Sequence, residues 1–164
     1  GGSGGARAGG GEAGGGAWRR GVCAGRVVGG RGCAGGDGDG CSNLGFAYLL
    51  GLIGMARGSI RAAELLEPTC AGGHANACFQ LGWNYEFGRT VARDHKRTAV
   101  FYQQACDAAS DSNDMMGLMG CHFLASAYAE GRGVAEDATP AAELYYRACQ
   151  GGNGNGCNNL GRFY

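Results

Sequence analysis

The chain has little that would announce chemistry. It has one lysine, Lys96, and two prolines among 164 residues. Fourteen basic residues balance fourteen acidic ones. No net positive field therefore points to nucleic acid. No apolar run approaches the about 20 residues of a membrane span. The first residues lack the charged-then-apolar layout of a secretory leader. The pattern described below breaks off at Tyr164, and we expect both ends to be cut from a longer array. His74, His95 and His122 form no HxH or HExxH motif. The lone lysine is not preceded by serine at the third position upstream, which is Arg93. The Ser-x-x-Lys arrangement of a serine β-lactamase is therefore missing.

Glycine and cysteine are present in excess. Of the first 40 residues 19 are glycine. Such a segment loses much backbone entropy on ordering and has little apolar surface to bury. Residues 1–32 are expected to be a disordered linker, mildly basic through Arg7, Arg19, Arg20, Arg26 and Arg31. Cys23 is the odd thiol of nine. The other eight fall in pairs: Cys33 and Cys41, Cys70 and Cys78, Cys106 and Cys121, Cys149 and Cys157. Paired spacing of this kind reads as a disulfide framework or a metal scaffold.

The pairs are also a ruler. The second cysteines step by 37, 43 and 36 residues, and the first by 37, 36 and 43. One unit is thus about 36 residues, with a seven-residue insertion between Cys106 and Cys121. After each second cysteine comes a signature: Leu44-Gly45-Phe46-Ala47-Tyr48, Leu81-Gly82-Trp83-Asn84-Tyr85, Leu124-Ala125-Ser126-Ala127-Tyr128 and Leu160-Gly161-Arg162-Phe163-Tyr164. Leucine and tyrosine four apart share a helix face. The small residue beside leucine lets a neighbouring backbone approach. Gly51, Gly88 and Gly131 stand where such a helix ends in a left-handed cap.

A second helix precedes each pair. Its apolar stripe is Ala63-Leu66, Ala99-Tyr102 and Ala142-Tyr145, with Leu65, Phe101 and Leu144. Asp94 and Asp137 are placed to cap it. Pro140 suits its start, whereas Pro68 should end its helix early or kink it. Neither helix buries its stripe alone, so the units must stack. The reading is an all-α solenoid, right-handed by analogy with helical-hairpin arrays. Its units are about 41–77, 78–120 and 121–156, and a fourth begins at Cys157.

The pattern LGxxY, then Gly131-Arg132-Gly133-Val134, Asp137, and AxxxYxxAC from Ala142, resembles the Sel1-like repeat. The paired cysteines narrow the resemblance to the cysteine-rich Sel1-like proteins of the Helicobacter type, over residues 33–164. The second unit has Thr90 where the family prefers glycine, and the first lacks the Gly-Val and Asp features. The resemblance implies an α/α solenoid related to tetratricopeptide arrays. It also implies disulfides eight positions apart, export to the periplasm or medium, and protein interaction on the concave face. Some members are described as β-lactamases or penicillin binders, which makes β-lactam binding the alternative function. A relative in the mitochondrial intermembrane space supplies the alternative location.

With that layout, each cysteine pair joins the last turn of one helix to the first turn of the next. There the Cα atoms can reach disulfide distance. The zinc alternative rests on Cys70, His74 and Cys78, but Asp37 and Asn153 replace the histidine in other copies. No catalytic residue, cofactor or metal is expected. The partner is a protein or peptide, and the surface expected to hold it comprises Asn43, Trp83, Asn84 and Ser126 beside the signature. Met115 and Met116 on a long loop over 107–120 complete it, since flexible methionines suit adaptable binding.

Overall fold

The structure is a computed structural model that describes residues 38–50, 58–88, 91–109 and 114–163. The expectations for residues 1–32, Cys23, Cys33 and Gly51 lie outside these. Among the described residues there are seven helices and no strand: α1 Gly38–Leu50, α2 Ser59–Ala71, α3 Ala75–Phe87, α4 His95–Ala108, α5 Met115–Glu130, α6 Ala138–Gln150 and α7 Gly154–Leu160. Each packs on its neighbour in sequence. Beyond that, α1 touches α3 and α3 touches α5. The first helices of successive units thus lie side by side and line one face of the array.

Local chemistry accounts for the boundaries. Asp94 Oδ1 accepts from the backbone N–H of Lys96 and Arg97 at 3.0 and 3.1 Å, and Asp137 from Thr139 at 2.9 Å. Both satisfy N–H groups that open a helix without partners. Gly88 and Gly131 close α3 and α5 at φ 60° and 66°, the left-handed cap that glycine adopts without a Cβ penalty.

The core follows the signature. Leu81, Leu124, Leu66 and Tyr102 are at most 2% exposed. Tyr85 and Tyr145 are buried, while Tyr48 and Tyr128 pack on the core from its edge. A Cβ at Gly45 would come within 2.6 Å of Leu66, and one at Gly82 within 2.6 Å of Tyr102. The small residue of the signature is therefore the seat of the second helix. In α4 the expected Ala99 is buried, whereas in α2 and α6 the buried alanine of the stripe is Ala62 and Ala141, one position before the expected Ala63 and Ala142. The stripe thus runs at i, i+4 to Leu66 and Tyr145 in α2 and α6, and at i, i+3 from Ala99 to Tyr102 in α4, as expected.

Three expected disulfides are present. Cys70–Cys78, Cys106–Cys121 and Cys149–Cys157 have Cα atoms 4.7, 4.6 and 4.5 Å apart. The pairing of Cys41 with Cys33 falls outside the described residues on the Cys33 side.

Two expectations are corrected. Of the two outcomes expected of Pro68, an early end and a kink, the early end is overturned, since α2 runs on to Ala71. Thr69 Oγ1 donates to Leu65 O at 2.6 Å, Gly72 N donates to Pro68 O at 3.0 Å, and the disulfide at Cys70 ties the last turn to α3. Met115 and Met116 do not sit on a loop. Asp114 accepts from Gly117 N at 3.0 Å and starts α5 six residues ahead of Cys121, so the insertion lengthens a helix.

Candidate functional site

Among the described residues, three hollows open along the face lined by α1, α3 and α5. The first, about 320 Å³, lies where these helices meet. Asn43 and Phe46 of α1 form one wall, Asn76, Phe79, Gln80 and Trp83 of α3 the floor, and Met116 and Met119 of α5 the other wall. None of the eight is charged. Phe79 is fixed by ring contacts with Tyr102 and Phe123 at 5.7 and 5.8 Å. Trp83 meets Phe87 edge-on at 5.3 Å. The apolar floor is thus held by the core beneath it. Within that floor Gln80 Nε2 donates to Asn76 Oδ1 at 2.9 Å.

The second hollow, about 480 Å³, opens between α5 and the turn from α6 to α7. Met115, Met119, His122 and Phe123 line one side, and Gly151 to Asn155 the other. The His122 ring is half-buried against Phe123 and Tyr145, at 5.2 and 5.6 Å. Burial pushes its ionisation below the usual histidine range. The ring is therefore neutral at pH 7, and its Nε2 lies 3.1 Å from Asn159 Nδ2, which donates to it in that state. The third hollow, about 440 Å³, is lined by Ser126, Tyr145, Asn159 and Arg162 among others. Ser126 Oγ lies 2.9 Å from the Tyr145 hydroxyl and 3.2 Å from His122 O.

Of the residues expected to meet a partner, Asn43, Trp83 and Met116 come together in the first hollow. Met115 stands in the second, 68% exposed, and Ser126 in the third. Asn84 is corrected: at 5% exposure it lies inside the array, because one residue beyond Trp83 turns about 100° around the helix. Expecting both Trp83 and its neighbour Asn84 on the partner face ignored that rotation. Sequence reasoning missed Gln80, Asn76 and His122 as lining residues. A signal existed for Gln80: Asn43, Gln80, Phe123 and Asn159 all stand two residues after a second cysteine.

A buried charge cluster lies behind this face. Glu86 of α3, 7% exposed, accepts from the Tyr102 hydroxyl of α4 and pairs with Arg132 after α5. Burial first, then the hydrogen bond to Glu86 and its charge, push the Tyr102 hydroxyl upward, so it stays a donor. Burial works against the Arg132 charge, but Glu86 and Glu130 outweigh it. Cys70 and Cys78 are joined to each other and His74 precedes α3 as its N-cap residue. Among the described residues no group of three or more His, Cys, Asp or Glu is placed to hold a metal ion. No described helix is long and apolar enough to cross a membrane.

Comparison with known proteins follows the same units. The family model of the Sel1 repeat matches three times, over residues 38–74, 75–110 and 118–153. No curated protein sequence matches the chain. Among solved structures it is similar to a Sel1 repeat protein from Oxalobacter formigenes, at 28% identity and TM-score 0.67 over 79% of this chain and 92% of that one. It is similar to a protective antigen of uropathogenic Escherichia coli with an SLR fold, at 27% identity and TM-score 0.70. That match covers 82% of this chain but 27% of the antigen. Helicobacter pylori cysteine rich protein B shares the fold at 23% identity and TM-score 0.59, over 78% of this chain and 92% of that one.

Proposed function

The chain belongs to the Sel1 repeat family, and from that premise we propose that it is an interaction scaffold holding a protein or peptide segment along the face of its first helices. One observation carries the reading. Asn43, Trp83 and Met116, from three successive first helices, converge on one apolar hollow with three amides in its lining. Ligand sites combine an apolar lining with a few placed polar groups in this way. Helical-hairpin arrays present such surfaces because each unit contributes the same helix to the same side. The disulfides and the core hold the site before a partner arrives, which lowers the ordering cost of binding.

The test is panning a displayed peptide library on the immobilised chain under non-reducing conditions. Enriched peptides are expected to bind the wild type at least about tenfold more tightly than Trp83→Ala or Met116→Lys variants, with helical circular dichroism unchanged. Peptides that bind all three alike, or no enrichment, refute the site.

We propose further that the protein works in an oxidising compartment, the bacterial periplasm or the exterior, with the mitochondrial intermembrane space as the alternative. The support for this is the set of three disulfides, which cytosolic thiol buffers disfavour. Alkylation of thiols before lysis, followed by non-reducing peptide mapping, checks it. Alkylated Cys70, Cys106 and Cys149 from living cells would sink the assignment. No observation favours the β-lactam alternative, and it is not pursued.

A further inference from the structure

We propose that the first hollow is a subsite for an internal, uncharged stretch of peptide, held by one backbone N–H on Gln80 and one aliphatic side chain over Phe79 and Trp83. This rests on the interaction reading above and specifies what that surface takes.

The argument starts from an unpaired atom. Gln80 is 7% exposed, and its Oε1 has no hydrogen-bond partner. Its Nε2 is already given to Asn76 Oδ1, which fixes the carboxamide and leaves the oxygen as an acceptor. Buried polar side-chain atoms are paired in the large majority of cases, because leaving one dry carries its full desolvation cost. Gln80 is one of the residues lining the hollow, and a donor bound there is the partner this buried acceptor lacks. The donor must come with apolar surface, since Phe46, Phe79, Trp83 and Met116 line the same hollow.

Charge narrows the ligand. No lysine, arginine, histidine, aspartate or glutamate lines the hollow. A terminal carboxylate or ammonium would give up hydration there without a counter-charge. A chain end is therefore disfavoured, and a neutral internal amide is favoured. Size agrees: about 320 Å³ is at the low end of ligand pockets, room for a residue or two rather than for a folded domain. Continuity agrees as well, because Met119 borders this hollow and the second one, so a bound segment can run on across α5.

Three small probes of nearly one shape test the proposal. N-methylisovaleramide carries the N–H and the branched apolar group. Methyl isovalerate lacks the N–H, and isovalerate ion replaces it with charge. Each is titrated into isotopically labelled protein while the side-chain amides of Gln80 and Asn76 and the Trp83 indole are followed by nuclear magnetic resonance. The amide is expected to bind about three- to tenfold more tightly than the ester, and the ion more weakly still. Gln80→Leu should erase the preference for the amide over the ester, whereas Gln80→Glu, which keeps an acceptor, should retain it. Circular dichroism checks that both variants fold.

Equal binding of amide and ester, tighter binding of the ion, a preference that survives Gln80→Leu, or no binding of any probe up to its solubility overturns the proposal. The last result means that the hollow takes no such ligand and that Gln80 keeps its acceptor unpaired. Library peptides that depend on Trp83 but not on Gln80 would leave the interaction surface standing and remove only this subsite. Absence of any peptide binding removes both.

Discussion

Replacing Arg132 by methionine keeps the aliphatic stem and deletes the charge that faces Glu86. Glu86 would then sit at 7% exposure with the Tyr102 hydroxyl as its remaining hydrogen-bond partner of the two described here. Removing one member of a buried ion pair costs about 3–5 kcal/mol, because the other charge stays dry and unpaired. Here the figure must be discounted. The Arg132 side chain is 32% exposed, so water reaches part of the space it leaves, and its Nε, 2.9 Å from Glu130, makes no aligned hydrogen bond there. We expect a loss of about 2–3 kcal/mol. The residues involved sit on α3, on α4 and after α5, so the loss falls on the junction between the second and third units. Urea unfolding with the disulfides intact measures it, since an uncharged denaturant leaves ion pairs unscreened. Glu86→Gln alone and the double variant complete a cycle. The double variant should recover at least half of the loss, because no unpaired charge remains. A loss under about 0.5 kcal/mol, or two single effects that simply add, would show that the pair is surface-like and refute the argument.

The other predictions concern backbone, staples and pH. Gly133→Ala should cost more than about 2–3 kcal/mol in thermal or urea unfolding, since φ is 76° and the new Cβ would lie 2.0 Å from His95 O, a backbone atom that cannot swing aside. Gly152→Ala is its control: φ is 87° but nothing lies within 4 Å, so about 1 kcal/mol is expected. Alanine at both Cys106 and Cys121, a fully buried pair 15 residues apart, should cost about 3 kcal/mol or more. The same change at Cys149 and Cys157, where Cys157 is exposed, should cost about 2–3 kcal/mol; equal losses at both pairs would deny a packing role to the buried one. His122 makes stability fall with acid. Its folded pKa is lowered by burial, so the unfolded chain binds the proton first. The contribution is complete above the unfolded value of about 6.5 and is lost as pH falls through the window down to the folded value. His122→Gln, compared with wild type between pH 7.5 and 5, should flatten that slope; an unchanged slope counts against the assignment.

Much of the fold was readable because repetition turns weak signals into a measurable period. Cysteine spacing, the LGxxY signature and the paired aspartates are local in sequence, and each recurs. Helix order, the Asp94 and Asp137 caps, the Gly88 and Gly131 ends and three disulfides could therefore be placed from the chain alone. The misreadings came where a single local rule met a tertiary constraint. Proline at 68 weakens a helix, yet the disulfide and a threonine bond carry α2 past it. An insertion rich in Asp and Ser reads as loop, yet Asp114 turns its second half into helix.

Sequence by itself determined the unit, its two helices and which cysteines could meet, because these depend on contacts within about 36 residues. Only the tertiary structure decided the site. Whether Trp83 or Asn84 faces outward depends on how α3 is rotated against α4. Whether Gln80 has a partner depends on what the other helices bring within reach. Glu86 meets Arg132 across 46 residues, through a stacking that no single repeat specifies. The hollow exists because three first helices from three units converge, and that convergence is a property of the assembled array.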